Sequence, residues 1–196
     1  MSPKQKRGEA TVEQVLDAAL RIYAASGEGG LTVEAVTRTS GVSSGSVYHH
    51  FGSMHGVVLA LAQRWLGQLL GELVTALTQA PGPRAAVDGI VRAYLAFVRR
   101  NPDAARLLHS ATADQNVMAD IESVRDSQEA RLSPVAEWID ARVAAGELAA
   151  LPAPLIEALI LGPVVAVARR WLTLGDVDLD VATESLPERI WQSVSP

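Results

Sequence analysis

The sequence contains no cysteine, which excludes disulfide bonds and metal sites built on thiolates. Aromatic residues are also scarce, at 5% of 196 positions, although hydrophobic residues make up 48%. The apolar content is therefore mostly Ala, Leu and Val, and Ala and Leu are strong helix formers. This composition favours closely packed helices over a sheet sandwich.

Long hydrophobic runs are missing as well. No stretch of 18 or more consecutive apolar residues is present, so we expect no membrane-spanning segment. The first ten residues, MSPKQKRGEA, carry charge but are not followed by the apolar region of a signal peptide. These observations predict a soluble, cytoplasmic protein.

Charged side chains are absent from one segment and unevenly distributed elsewhere. No Lys, Arg, Asp or Glu occurs from Thr39 to Gln63. Residues 1–66 contain six basic and five acidic side chains, whereas the other 130 residues contain 11 and 17. A nucleic acid would tolerate the near-neutral first part and be repelled by the acidic remainder. We therefore expect the two parts of the chain to have different functions.

Apolar residues recur at helical spacing along the whole chain, and no useful strand-like alternation is present. We therefore predict an all-α fold of about nine helices, with a three-helix head at residues 1–54 and a helical body at 55–196. The predicted helices lie at 12–26, from Thr32 to Ser40, from Ser43 or Ser44 to Phe51, from Ser53 to about 80, at 83–100, from Pro102 through His109, at 115–146, at 154–174 and at about 179–194.

The second and third helices form the most specific pattern. Two short helices joined by a turn containing Gly41 are typical of a helix-turn-helix, whose second helix enters the major groove of DNA. Hydroxyl groups and helix N-termini can bind phosphates without charged side chains. We therefore predict contacts with double-stranded DNA from hydroxyls at or near helix starts (Thr32, Ser43, Ser44 and Ser53), with missing charge supplied by Lys4, Lys6 and Arg7. Ser46 is the candidate for reading a base, and Val47 on the same helix is interpreted as core.

The segment LTVEAVTRTSGVSSGSVYHHFGS, Leu31 to Ser53, resembles the tetracycline-repressor (TetR) family of bacterial transcriptional regulators. The family pattern is approximately T-x-x-x-I-A-x-x-A-G-V-S-x-G-x-x-Y-x-H-F-x-S-K. Thr37 and Ser40 replace alanines that are usual in the family, and Ser44 and Met54 replace lysines that are common phosphate contacts. Residues that match the pattern are Thr32, Gly41, Val42, Ser43, Gly45, Tyr48, His50, Phe51 and Ser53.

The resemblance implies further site residues. Tyr48 commonly reaches a phosphate in this family, and His49 beside it is expected to contact a phosphate or a base edge, whereas His50 is interpreted as a structural link. The resemblance also implies a small-molecule site in the centre of the body. Its candidate lining residues, each of which could alternatively be ordinary core, are Tyr94, Phe97, His109, Met118 and Trp138.

The last two predicted helices carry more apolar residues than a monomer is expected to hide. Two copies of this helix pair would form a four-helix interface in a homodimer, which predicts an inverted-repeat DNA site. The predicted interface residues are Leu155, Leu159, Val167, Trp171, Ile190 and Trp191.

The sequence thus predicts a homodimeric repressor released from DNA by a small, mostly apolar ligand. An alternative is a DNA-binding regulator whose body only dimerises, without a small-molecule input. An enzyme such as a recombinase is not expected, because no catalytic cluster occurs outside the head. His109, Ser110 and Asp114 lie too close together in sequence for a hydrolase triad. The spacing of His49, His50 and His55 does not favour a metal site, and no cofactor is predicted.

Overall fold

The structure, a computed structural model, describes residues 3–110 and 135–196, with side chains from Arg7 onward. All regular elements in these ranges are helical, which confirms the all-α prediction. The elements are α1 (Pro3–Ser26), a 3-10 turn (Glu28–Gly30), α2 (Val33–Ser40), α3 (Ser44–Phe51), α4 (Met54–Gln79), α5 (Pro83–Arg100), α6 (Pro102–Leu108), α7 (residues 135–144), α8 (Ala153–Leu174) and α9 (Leu179–Val194).

Two helix ends differ from the prediction. Helix α1 begins at Pro3 rather than near residue 12, because the apolar periodicity identifies only the part of a helix that is buried. Lys4, Lys6 and Arg7, which are predicted to supply positive charge to the DNA contact, therefore lie on helical backbone. Helix α6 ends at Leu108, and His109 serves as its C-cap instead of belonging to the helix.

The helix-turn-helix is fixed by local capping contacts. The Oγ1 of Thr32 accepts a hydrogen bond from the backbone N–H of Ala35 at 3.1 Å, which starts α2. Gly41 ends α2 with φ of 73°, a left-handed conformation that favours glycine. The Oγ of Ser43 then accepts from the N–H of Ser46 at 3.3 Å and starts α3. This sequence of caps sets the angle between the two short helices.

Two hydrophobic cores divide the molecule. The head core takes one or more buried side chains from each of the first four helices, including Val15, Val36, Val47 and Leu61. The body core is larger and lies among α4, α5, α7, α8 and α9, with Phe97 fully buried within it. Leu107 of α6 belongs to the head core although α6 follows α5 of the body, so α6 links the two regions.

Helix α4 passes through both cores. By length and composition it is the one helix within the described ranges that could cross a membrane, with a mean hydropathy of 1.2 over an 18-residue window. Its apolar residues are used inside the protein, because Val57 and Leu61 pack in the head core while Leu69, Leu73 and Leu77 pack in the body core. This packing is typical of the central helix of a helical protein.

Candidate nucleic-acid interface and effector cavity

Helix α3 has one buried face and one exposed face. Val47 is 1% exposed and packs in the head core, which confirms its interpretation as a core residue. Tyr48 is 52% exposed, and its neighbour His49 is exposed as well. Packing between helices therefore does not account for Tyr48, and its phenol group is accessible to a partner outside the protein.

Three of the hydroxyls predicted to contact DNA are helix N-caps. Thr32 and Ser43 cap α2 and α3, and the Oγ of Ser53 accepts from the N–H of Gly56 at 3.0 Å at the start of α4. Each cap uses an oxygen lone pair as an acceptor and leaves the hydroxyl hydrogen free to donate. A phosphate oxygen is an acceptor, so capping and phosphate binding are compatible in the same side chain.

The two remaining serines of α3 differ in exposure. Ser44 is exposed at the first position of the helix. Ser46, the candidate for reading a base, is half-buried, although helical periodicity predicts an exposed side chain. It lies beside the buried Val47, and its backbone N–H is engaged by the Ser43 cap. A base contact from Ser46 would therefore use the part of its side chain that remains accessible.

His50 is exposed, and its ring lies near the first turns of α1. A Cβ atom on Gly8 would be 3.7 Å from the Cε1 of His50, which is ordinary van der Waals contact. The His50 ring also meets the Phe51 ring edgewise, with centroids 6.4 Å apart. Arg7 precedes Gly8 and is exposed, so this cation starts from backbone close to α3. The side chains of Lys4 and Lys6 lie outside the described part of the structure.

In the body, the buried Tyr94 and the half-buried His109 form a polar pair. The Tyr94 hydroxyl lies 3.2 Å from the Nε2 of His109, and Tyr94 is 6% exposed. Burial raises the pKa of Tyr94 to about 12, since it disfavours the charged phenolate, while the positive charge of Arg169 acts in the opposite direction. Both residues were predicted to line an effector site, and Phe97, on the same helix as Tyr94, is 0% exposed.

A partly open cavity of about 40 Å³ lies among α4, α5, α7 and α8. Trp138 lines it, but Tyr94, Phe97 and His109 do not, so the structure separates the residues predicted to share one site. Met118 lies outside the described residues. Ligand cavities for drug-sized molecules usually measure roughly 300–1,000 Å³. The cavity is lined by Leu70, Leu73, Val74, Leu77, Ile90, Val135, Trp138, Ile139, Glu157, Ile160 and Leu161.

Most of the predicted interface residues on α8 and α9 retain accessible surface. Leu155 is 47% exposed, and Leu159, Val167, Trp171 and Trp191 are half-buried. Ile190 is 2% exposed and packs in the body core, so it has no surface left for a second subunit. Helical spacing marks an apolar residue but does not tell whether it faces the core or a partner.

Two exposed apolar residues of the same region escaped the sequence prediction. Leu174, at the end of α8, is 64% exposed, and Val181, in the first turns of α9, is 60% exposed. Leu174 follows Trp171 by one helical turn and could have been found by extending the same periodicity. Together with Leu155 they are the exposed large hydrophobic residues of this helix pair.

The head matches a known protein family. Residues 15–61, which run from the core residue Val15 of α1 to Leu61 of α4, match the model of bacterial regulatory proteins of the tetR family. That range contains the whole of α2 and α3 together with their caps. The head of the chain is therefore similar to this family over residues 15–61.

Two curated relatives of this chain carry the same description. It is 35% identical over 78 residues to the HTH-type transcriptional regulator BetI of Rhizobium meliloti (strain 1021), which covers 40% of the chain and 38% of that protein. It is 31% identical over 126 residues to BetI of Agrobacterium fabrum, covering 55% of the chain and 61% of that protein. The matched part thus spans from over a third to about three fifths of these relatives.

Solved structures share the complete fold at low sequence identity. A TetR family transcription regulator from Marinobacter aquaeolei VT8 has a TM-score of 0.78 at 16% identity, covering 97% of this chain and 98% of that chain. The transcriptional regulator FadR from Bacillus subtilis, solved in complex with stearoyl-CoA, has a TM-score of 0.74 at 16% identity, covering 91% and 96%. The body therefore has the same fold as these regulators, although the family model matches only the head.

Proposed function

We propose that the protein is a homodimeric, sequence-specific DNA-binding transcriptional regulator whose head, residues 1–54, reads an inverted repeat. The observation that carries the proposal is α3, which buries Val47 and leaves Tyr48 and His49 exposed on a helix-turn-helix. In such motifs the second helix enters the major groove while the first crosses the backbone. The tetR-family match over this head and the names of its relatives support the same function.

Neutral donors provide most of the contacts in this proposal. Thr32, Ser43 and Ser53 donate their hydroxyl hydrogens to phosphates, and Ser44, Tyr48 and His49 extend the same surface. Positive charge comes from Arg7, with Lys4 and Lys6 next to it in sequence. Ser46 reads a base edge. Phosphate contacts of this kind fix the position of a protein on DNA, whereas base contacts give it sequence specificity.

The body, residues 55–196, dimerises through α8 and α9. Leu155, Leu159, Val167, Trp171 and Trp191 form the interface together with the exposed Leu174 and Val181. An isologous contact between two such helix pairs places the two heads around a two-fold axis. Two recognition helices related in this way read half-sites on one face of DNA.

An effector in the body would act on the head through α6. Leu107 packs in the head core, and the Tyr23 hydroxyl of α1 donates to the backbone oxygen of Arg106 at 3.4 Å. His109, which caps α6, contacts Tyr94 of the body. A small apolar molecule that displaced α6 would move the head and release DNA. A coupling of about 1–3 kcal/mol is usual for such a switch. The stearoyl-CoA held by the similar FadR structure supports an effector of apolar character.

A regulator without an effector is the second candidate. The volume of about 40 Å³ for the cavity among α4, α5, α7 and α8 favours it, because this space is smaller than a usual ligand site. In this case the body serves dimerisation alone.

Selection from a random DNA library with the full chain tests the main proposal. The expected result is enrichment of an inverted repeat, bound by a protein whose mass in light scattering is that of a dimer. Absence of any enriched sequence would contradict DNA recognition. Compounds that raise the melting temperature are then titrated against the selected DNA. A fall in DNA affinity of roughly 5- to 150-fold supports the effector, whereas unchanged affinity supports the second candidate.

A further inference from the structure

Arg64 of α4 is held by two carboxylates of α1. Its Nη1 lies 2.7 Å from the Oε2 of Glu13 and 2.8 Å from the Oδ1 of Asp17. Glu13 and Asp17 are four positions apart and so lie on one face of α1. The single guanidinium therefore fastens two successive turns of the first head helix to α4.

Arg64 is less exposed to solvent than the other arginines that join helices. Its side chain is 21% exposed, with carboxylate partners that are 60% and 62% exposed, whereas Arg84, Arg99 and Arg100 are 57–68% exposed in their ion pairs with α9 and α4. Water screens an exposed ion pair more strongly than a partly buried one. These three pairs also lie within the body. Among the described ion pairs, those of Arg64 are the ones that join α1 to α4.

The neighbouring Trp65 extends this connection into the body. The guanidinium carbon of Arg64 lies 5.3 Å from the centre of the Trp65 ring, which is cation–π distance. That ring packs against both hydrophobic cores and meets Phe97 edgewise, with centroids 6.3 Å apart. The Trp65 Nε1 is buried without a hydrogen-bond partner. The position of the ring is therefore set by packing and by Arg64, since no hydrogen bond fixes it.

The geometry points to Arg64 as a positioning residue that sets the orientation of the head relative to the body. The connection runs from Glu13 and Asp17 through Arg64 and Trp65 to Phe97. In the dimer, this orientation determines how far apart the two α3 helices lie. This functional consequence rests on the proposed DNA-binding function, but the orientation itself does not. Arg64 needs no phosphate contact to affect DNA binding in this way.

The absence of cysteine allows the orientation to be measured directly. Ala25 at the end of α1 and Ala85 near the start of α5 are both accessible, so Ala25→Cys with Ala85→Cys provides two spin-label sites, one in the head and one in the body. Doubly labelled protein is mixed with excess unlabelled protein so that distances within one chain dominate. Pulsed electron paramagnetic resonance then gives the distribution of head-to-body distances without DNA or effector.

Three variants and one matched control are compared by this measurement. Arg64→Gln removes the cation, and Glu13→Gln with Asp17→Asn removes its partners. Both are expected to broaden or shift the distribution. Arg64→Lys keeps one charge but cannot hold both carboxylates with a planar group, so its effect is intermediate. Arg100→Gln breaks the ion pair with Glu72 inside the body and is expected to leave the distribution unchanged. Circular dichroism confirms equal helix content in each.

DNA binding provides the second readout. The probe is the inverted repeat selected with the wild-type chain, together with versions whose half-sites are moved by one or two base pairs. Arg64→Gln is expected to weaken binding to the selected spacing by about 10-fold, within the range for residues of one network. The variant should discriminate less between spacings. Its dependence on salt should match the wild type, since the substitution leaves every phosphate-binding side chain in place.

Each outcome of the two measurements supports or overturns the role of Arg64. A changed distance distribution with reduced spacing discrimination supports it. An unchanged distribution in both Arg64→Gln and the Glu13/Asp17 variant overturns it, and a shallower salt dependence overturns it in favour of a direct phosphate contact. Failure of the wild-type chain to select any DNA would remove the proposed function instead, while the distance measurement would still decide the role of Arg64.

Discussion

The head and the body use polar groups in different ways. From Thr39 to Gln63 the chain has no charged side chain, and its hydroxyls are used as helix caps at Ser43 and Ser53. The head also contains ion pairs outside this segment, through Glu34, Glu13 and Asp17, but the arginines of the body form them along a whole helix. Along α5 these are Arg84 with Glu188, Arg92 with Asp88, Arg99 with Asp180 and Arg100 with Glu72.

This difference indicates which surface can meet DNA. The α5 arginines are neutralised by acidic partners, and the body as a whole is acidic, so it repels a polyanion. The head has five basic and five acidic side chains, so it carries no excess of negative charge, and its uncharged segment presents donors that need no counterion. Sequence-specific contact is therefore expected from the head, while the ion pairs of the body stabilise its helix packing.

The largest expected change in the free energy of unfolding comes from substitutions in the two hydrophobic cores. Phe97→Ala removes a fully buried ring from the body core and is expected to lower the free energy of unfolding by about 3–5 kcal/mol. Val36→Ala removes two methyl groups from the head core and should cost about 2 kcal/mol. Urea denaturation measures both. A cost below about 1 kcal/mol for Phe97→Ala would mean that the ring faces an adaptable site rather than a packed core.

The second effect is a pH dependence that belongs to the body alone. The pKa of Tyr94 is raised to about 12 by burial, so the folded state holds this proton more tightly than the unfolded chain, whose tyrosine pKa is about 10. The stabilisation is fully present below about pH 10 and is lost as the pH rises through about 12. Up to about 3 kcal/mol is involved.

Tyr94→Phe is the control for this pH dependence. The variant lacks the titrating group, so its unfolding free energy should fall less between about pH 10 and 12 than that of the wild type. Chemical denaturation at fixed pH values compares the two proteins. Equal decreases would show that Tyr94 does not contribute to the alkaline instability.

The third effect tests the capping role of hydroxyls in the head. Ser43→Ala should destabilise the protein by about 1 kcal/mol, because the N–H of Ser46 is left without its partner. Ser44→Ala, one residue further on and exposed, should stay within about 0.5 kcal/mol. Thermal denaturation of the two variants and the wild type measures this difference in stability. If both variants are equally stable, the Ser43 cap is not a stabilising contact.

The smallest expected change in stability comes from removing an exposed ion pair of the body. Arg92 and Asp88 are one helical turn apart and 2.8 Å from each other, and their side chains are 51% and 42% exposed. Arg92→Gln is expected to cost about 0.3–0.5 kcal/mol, as for other pairs at this spacing. A decrease in stability that persists undiminished in high salt would point to a role other than ion pairing.

The fold and the head were largely predictable because their signals are local. A few neighbouring residues determine each of these features. Examples are the helix caps at Thr32 and Ser43, the left-handed conformation of Gly41 and the position of Val47 on the buried face of α3. The start of α1 was missed because its first turns follow no apolar periodicity. Helical propensity extends the helix there without leaving a periodic pattern.

The body site was less predictable because it depends on contacts distant in sequence. The sequence placed Tyr94, Phe97 and Trp138 in one lining, but the structure puts Trp138 at a cavity and the other two in the packed core. Ile190 was similarly assigned to a dimer surface and is buried within the chain. Periodicity identifies the apolar face of a helix, but what lies opposite that face is decided by the arrangement of other helices.

The salt dependence of DNA binding tests most directly the claim that the head, and not the body, contacts DNA. Affinity for the selected inverted repeat is measured over a series of salt concentrations for three proteins: the wild type, a variant with Lys4→Gln, Lys6→Gln and Arg7→Gln, and Arg99→Gln in the body. The slope of log affinity against log salt should become shallower by about 0.9 for each phosphate that the head variant no longer neutralises. Arg99→Gln should keep the wild-type slope, since Arg99 is paired with Asp180. An unchanged slope in the head variant, or a reduced slope in Arg99→Gln, would contradict the account.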